Sequence, residues 1–217
     1  MQSDSIQDQK QTTILINYDY EFSVLKDIAK KKLNKNLAVD NSNRETIKLL
    51  IDYMQESENS KLSVLKGVLL IGDVGTGKSM LMSIFAEYGA YNKLKKAFHV
   101  QTSRDIERKY KNEGYAGVQY YSNYFGTNRY GSDIVNLCID DLGIEEGTIS
   151  NYGDKCDAVS EVLLDRYDKM LNSNVLTFAT SNLGDEEFKA RYSKRLVSRF
   201  NEMFNFVVLK GNDRRKQ

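Results

Sequence analysis

The chain has no proline, a single histidine and only two cysteines in 217 residues, and each scarcity narrows what it can be. Average usage would supply about 5% proline; with Tyr and Asn abundant, its absence reads as a compositional bias rather than a mechanism. Cys138 and Cys156 have no paired spacing, so neither a disulfide framework nor a zinc site is indicated. His99 sits in the apolar-flanked KAFHVQ, where a strand residue fits better than a metal ligand. No apolar run approaches the ~18 residues of a membrane span, and no signal-peptide pattern opens the chain. A cytoplasmic protein with no membrane partner is therefore expected. An excess of one charge is lacking too. The 31 Lys and Arg face 30 Asp and Glu, so any basic surface has to be local.

What is present is an alternation of strand-like and helix-like segments. Residues 1–13 are polar and predict a mobile tail. Residues 14–60 predict a small helical N-terminal segment, a possible partner-binding part. EFSVLKDIAKKKLNK places Phe22, Leu25, Ile28 and Ala29 on one helical face. In DNSNRETIKLLIDYMQES, Ser42 and Glu45 have capping-box spacing before the stripe Ile47, Leu50, Ile51 and Met54. SENSKLS reads as a loop. The core is expected over 61–211, with a basic tail at 212–217. GVLLIG, AFHVQ, IVNLCID, NVLTFAT and FNFVVLK read as strands. Helices are expected from Lys78 to about Tyr88, over SRDIERKYKNE, over DAVSEVLLDRYDKML, and as one run over DEEFKARYSKRLVSRFNEM. Continuous apolar strands alternating with helices imply an α/β fold, a parallel five-stranded sheet between helices.

Four motifs carry chemistry. In GDVGTGKS, the residues Gly72, Gly77, Lys78 and Ser79 match G-x-x-x-x-G-K-[ST] between a buried strand and a helix. Gly72, Asp73, Val74, Gly75, Thr76, Gly77, Lys78, Ser79 and Met80 would wrap ATP phosphates. Backbone N–H groups and the helix dipole would face the anion. Lys78 would neutralise the β- and γ-phosphates, and Ser79 would ligate Mg²⁺. In NLCIDDLG, Asp140 suits the metal through water and Asp141 the general base, although Asp and Gly are also common at ordinary strand ends. In LTFATSNL, Asn182 places a neutral amide near the γ-phosphate; the same TSN is also an ordinary strand end with a helix cap. In SKRLVSRF, Arg195 and Arg199 project together at i, i+4 from a helix whose buried stripe is Phe188, Tyr192, Leu196, Phe200 and Met203. Such an arginine can complete a neighbouring subunit's site. It can equally form a surface ion pair, Arg199 with Glu202.

In this order the motifs KGVLLIGDVGTGKS, CIDDLGIEE, TFATSNL and RLVSRF, with the ending LKGNDRR, resemble the AAA+ ATPases (ASCE-type P-loop NTPases). More closely they resemble the DnaC-type helicase loaders and the IstB-type transposition helper ATPases, over about Leu37 to Arg214. The resemblance implies Lys78 and Ser79 on phosphate and Mg²⁺, Asp140 on the metal, Asp141 as catalytic carboxylate, Asn182 as sensor and Arg199 as arginine finger. It implies no C-terminal lid domain, hence no usual second sensor arginine, a role that Arg214 or Arg215 could replace. It also implies a homo-oligomer with that arginine acting in trans, single-stranded DNA, and a replicative helicase or a transposase as partner.

The Tyr-rich NEGYAGVQYYSNYFGTNRYGSD is longer than loaders usually carry at this point. Its Tyr115, Tyr120, Tyr121, Tyr124, Phe125 and Tyr130 follow the basic Arg104, Arg108, Lys109 and Lys111. Rings that stack on bases and cations that hold phosphates are what single-strand binding uses. The same loop could instead pack on its own domain or a partner. KDIAKKKLNK supplies a basic strip able to meet DNA or an acidic protein, or simply a solvated helix face. The leading expectation is an ATP-driven loader. Beside it stand a transposase helper with the same engine, a P-loop small-molecule kinase, and an adaptor that binds ATP and scarcely hydrolyses it.

Overall fold

The computed structural model describes residues 15–123, 125–128 and 131–216, with backbone alone over 125–128, 131–134 and 216. The expected tail at 1–13, Tyr124 and Tyr130 lie outside the described residues. Two helices, α1 (Tyr18–Leu33) and α2 (Arg44–Met54), precede β1 (Gly67–Ile71) and α3 (Lys78–Tyr91). There follow β2 (Phe98–Thr102), α4 (Ser103–Glu113), α5 (Tyr115–Ser122) and the hairpin β3 (Phe125–Asn128) with β4 (Gly131–Ile134). Next come β5 (Asn136–Leu142), the hairpin β6 (Thr148–Asn151) with β7 (Asp154–Asp157), α6 (Ala158–Ser173) and β8 (Thr177–Ser181). The chain continues through α7 (Asp185–Arg191), α8 (Lys194–Met203), β9 (Phe204–Val208) and a 3₁₀ turn at Arg214–Lys216.

The main sheet is five-stranded and parallel, in the order β2-β5-β8-β1-β9. Its central strands are buried on both faces, which is why GVLLI and TFATS are unbroken apolar or small runs. Alternation along β1 feeds two cores. Val68 and Leu70 join α1, α2 and α3 on one side, while Leu69 joins α4, α5, α6, α7 and α8 on the other. Phe22, Leu25, Ile47 and Ile51 share the first core with Leu81 and Phe85. In packing, the N-terminal helices and the sheet are one body.

Three local expectations are corrected. Ser42 does not cap α2; its hydroxyl donates to Asp40 Oδ1 at 2.6 Å, and Asn43 stands at the cap position with no side-chain cap bond. Glu45 pairs with Lys48 at 2.9 Å instead. The single helix over 185–203 is two. The chain turns extended at Tyr192 and Ser193, and the Ser193 hydroxyl accepts from the Leu196 N–H to start α8. The five-residue stripe survives the break, with Phe188, Tyr192, Leu196, Phe200 and Met203 all buried. The Tyr-rich segment is not a plain loop, because it opens with α5 packed on α4 and α6.

Candidate nucleotide-binding site

Parallel α/β sheets place their sites beyond the carboxyl ends of the strands, and here those ends carry the motifs. From β1 the chain turns through Gly72–Gly77 into α3. Gly77, at φ +98°, is the N-cap and brings no side chain to the helix's first N–H groups. Gly75 has φ +85°, and a Cβ there would stand 2.1 Å from Asp213 Oδ1. The loop is thus a backbone cradle that only glycine can line at these points. Thr76 Oγ1 donates to the Asp73 carbonyl at 2.9 Å and fastens it.

Lys78 is 4% exposed. Its Nζ donates to the carbonyls of Gly72 (2.7 Å) and Asp73 (2.9 Å) and to Asn182 Oδ1 (2.5 Å). Burial pulls the lysine below its ordinary range, opposed by the fields of Asp141, Asp140 and Asp73. The amine therefore spans β1 and β8 and is held on neutral acceptors that phosphate oxygens can replace.

The carboxylate pair stands on β5, between β2 and β8. Thr180 Oγ1 donates to Asp140 Oδ1 at 2.6 Å and accepts from the Asp141 N–H at 2.9 Å. Ser103 Oγ holds the Asp141 carbonyl at 2.8 Å, and Ser181 Oγ holds that of Leu142 at 2.7 Å. Asp141 lies at φ +58°, where the β5–β8 register shifts between Ile139 and Leu142. The bulge turns its side chain into the cleft while Asp140 stays buried behind it. Burial first, then the neighbouring Asp140, push the Asp141 carboxyl up; Lys78 and Arg104 pull against them. Behind this strand end Glu145 accepts from the Gly143 N–H at 2.7 Å, the Tyr192 hydroxyl and Arg191.

The cleft at these ends has a volume of about 630 Å³. Val74, Gly75, Thr76, Gly77, Lys78, Ser79, Met80, Asp141 and Asn182 line it, while Gly72 and Asp73 contribute carbonyls from below. Two further walls close it, the second carrying the Arg214 and Arg215 considered above as a replacement sensor. One is the α1–α2 connector, with Lys35, Asn36, Leu37, Ala38 and Asn43. The other is the segment after β9, with Leu209, Arg214 and Arg215. Arg214 donates its N–H to the Gly75 carbonyl at 2.9 Å and its guanidinium to Ser42 Oγ and Asp40, both at 2.9 Å. It clips the two walls together across the loop. The GNDRR ending was visible as a motif; the connector carries no signal of its own.

Among the described residues no cluster of three or more His, Cys, Asp or Glu gathers to hold a metal. A divalent cation at Ser79 and Asp140 would therefore complete its shell with phosphate oxygens and water, the usual habit of Mg²⁺. The glycine cradle, the dehydrated amine and the paired carboxylates fit a magnesium nucleotide.

The remaining expected site residues lie elsewhere. Arg199 does not line the cleft; on α8 its guanidinium carbon sits 4.5 Å over the Tyr167 ring, and Tyr167 donates to Glu202 at 2.7 Å. Arg195 is exposed on the same helix. On α4, Arg108 pairs with Asp105, Lys109 with Glu113 and Lys111 with Glu146. Lys109 also lies 4.2 Å over the Tyr120 ring. Arg104 and Tyr120 are exposed. Tyr121, expected to stack on bases, is 5% exposed and belongs to the second core, so it is corrected to a packing residue.

No protein-family model matches the chain, and no curated protein matches it in sequence. Solved structures do. The DnaC helicase loader superposes with TM-score 0.55 at 21% identity, over 85% of this chain and 99% of that one. DnaI gives 0.56 at 20%, over 85% and 93%. AMPPCP-bound DnaA from Aquifex aeolicus gives 0.56 at 17%, over 86% of this chain and 52% of that one. The chain shares the fold of these three structures, a five-stranded parallel sheet flanked by helices.

Proposed function

We propose that this chain binds and hydrolyses ATP with Mg²⁺ as a protein of the helicase-loader type, working as an oligomer on single-stranded DNA with a replicative helicase. One observation carries the reading: the Lys78 amine joins the phosphate cradle to Asn182, with Asp140 and Asp141 bringing their charge to the same strand ends.

Each residue's part follows from its partners. Lys78 exchanges the Gly72 and Asp73 carbonyls for phosphate oxygens. Ser79 and Asp140 would hold Mg²⁺, which would supply charge neutralisation at the phosphates. Asp141, facing the cleft and raised by burial, accepts a proton from the attacking water. Asn182 spends its carbonyl oxygen on Lys78, which leaves its amide N–H₂ as the donor toward the γ-phosphate. Arg199 sits outside its own cleft, consistent with service to a neighbouring subunit. The described part of residues 14–60 then has two tasks, walling the cleft and meeting the partner.

The test is a trapping pull-down with Asp141→Asn, loaded with ATP in native extract. Recovery of a hexameric replicative helicase supports the loader reading, and recovery of a transposase moves the same engine into transposition. In parallel, ATP turnover must vanish in Lys78→Ala. Products are assayed with candidate nucleosides present, and any phosphorylated acceptor would reassign the chain to the kinases. Arg199→Ala is mixed with Lys78→Ala; recovered turnover in the mixture, absent from either alone, supports a shared site. An Arg199→Ala chain with unchanged turnover and self-association sinks the trans arginine.

A further inference from the structure

Positive charge is unevenly placed. Lys26, Lys30, Lys31, Lys32 and Lys35 face one acid, Asp27, between Lys26 and Lys35, while the whole chain carries a net charge of only +1. All five lysines are exposed. Lys31 pairs with Asp27 at 2.8 Å; Lys26, Lys30, Lys32 and Lys35 form no ion pair among the described residues. On α4, by contrast, Arg108, Lys109 and Lys111 are each neutralised by a carboxylate. Counterion release requires cations not already paired within the protein.

The ground beside these lysines suits bases. In the last turn of α1, Leu33 borders a groove of about 460 Å³ that runs between α3 and the edge strand β2. Ala86, Ala90, Ala97, Phe98 and Val100 make it largely apolar. Glu87 adds one negative charge to its lining. At the end of α3, Tyr91 is 69% exposed, on the side of Lys31, and the exposed Lys93 follows in the turn. Aromatic rings and apolar floor flanked by lysines are the elements of a single-strand track.

We propose that single-stranded nucleic acid binds the α1–α3 face, its phosphates on Lys26, Lys30 and Lys93 and its bases against Tyr91 and the α3–β2 groove. This rests on the single-strand part of the proposed function and relocates it from α4.

The test is fluorescence anisotropy of a labelled oligothymidine of about 20 nucleotides with the full chain across a salt series. Lys26→Glu combined with Lys30→Glu should weaken binding at least about tenfold and flatten the log–log salt slope by about two. Tyr91→Ala should weaken it about fivefold or more. Arg108→Glu combined with Lys111→Glu should change it less than about threefold. ATP turnover without DNA reports that each variant is folded. Unchanged binding by the α1 variant, or loss confined to the α4 variant, overturns the assignment. So does an α1 variant that keeps the oligonucleotide but loses capture of a protein partner, which would make this face a protein-docking surface. Wild-type protein that turns over ATP yet binds no oligonucleotide removes the DNA part of the proposed function and this inference with it, leaving the ATPase standing.

Discussion

Asp141 is where the local chemistry is most tightly constrained. Its carboxyl is raised above the ordinary aspartate range by burial and by Asp140. The folded state thus holds that proton more tightly than the unfolded chain. The resulting stabilisation is fully present below the unfolded value and is lost as pH rises through the folded one. At neutral pH the ionised side chain is a net cost. Asp141→Asn, which also tolerates the residue's positive φ, should raise the melting temperature at pH 7 by about 2 °C. That gain should shrink as the pH is lowered toward the carboxylate range. Hydrolysis should fall by about 10²–10⁴ while nucleotide binding persists. In the wild type, turnover should decline on acidification at a higher pH than an unperturbed aspartate would give, as a pH–rate profile will show. The phosphate loop and both carboxylates were legible in the sequence because each lies in one short contiguous motif whose neighbours set its geometry.

Elements were legible where one periodicity governed them and misread where a side chain captured the backbone. The stripe from Phe188 to Met203 implied one helix, and every member is indeed buried. The helix breaks because the Ser193 hydroxyl offers α8 its own start. Ser193→Ala should cost about 1 kcal/mol, read as a melting temperature about 2–4 °C lower. Ser42 was misjudged for the opposite reason, since Asp40, two residues earlier, takes its hydroxyl. The charge balance of α4 was not legible, because one of its neutralising acids, Glu146, is remote in sequence and meets Lys111 only in the fold. The clip between the cleft walls is an element-scale feature of the same kind. Arg214→Ala frees the Asp40 turn from the phosphate loop and should weaken nucleotide binding about three- to tenfold, measurable with a fluorescent nucleotide.

Across the whole molecule, Arg166 holds distant pieces together. It is fully buried and donates to Thr177 Oγ1 and to the carbonyls of Tyr121, Val135 and Leu176. Burial pulls its guanidinium well below the usual range, and the partners just named carry no charge to offset that. Arg166→Ala leaves buried acceptors unpaired and opens a cavity, so a loss of about 3–5 kcal/mol by denaturant unfolding is expected. Nothing in DRYDK announced this role, because its partners come from three other parts of the chain.

The same long-range closure governs the nucleotide cleft, whose walls are residues 35–43 and 209–215. During synthesis the phosphate loop leaves the ribosome long before β9, the strand that lies beside β1, and before Arg214 closes over Gly75. A nascent chain therefore carries the loop without its second wall, and full-strength nucleotide binding should wait until residues 209–215 have folded over it.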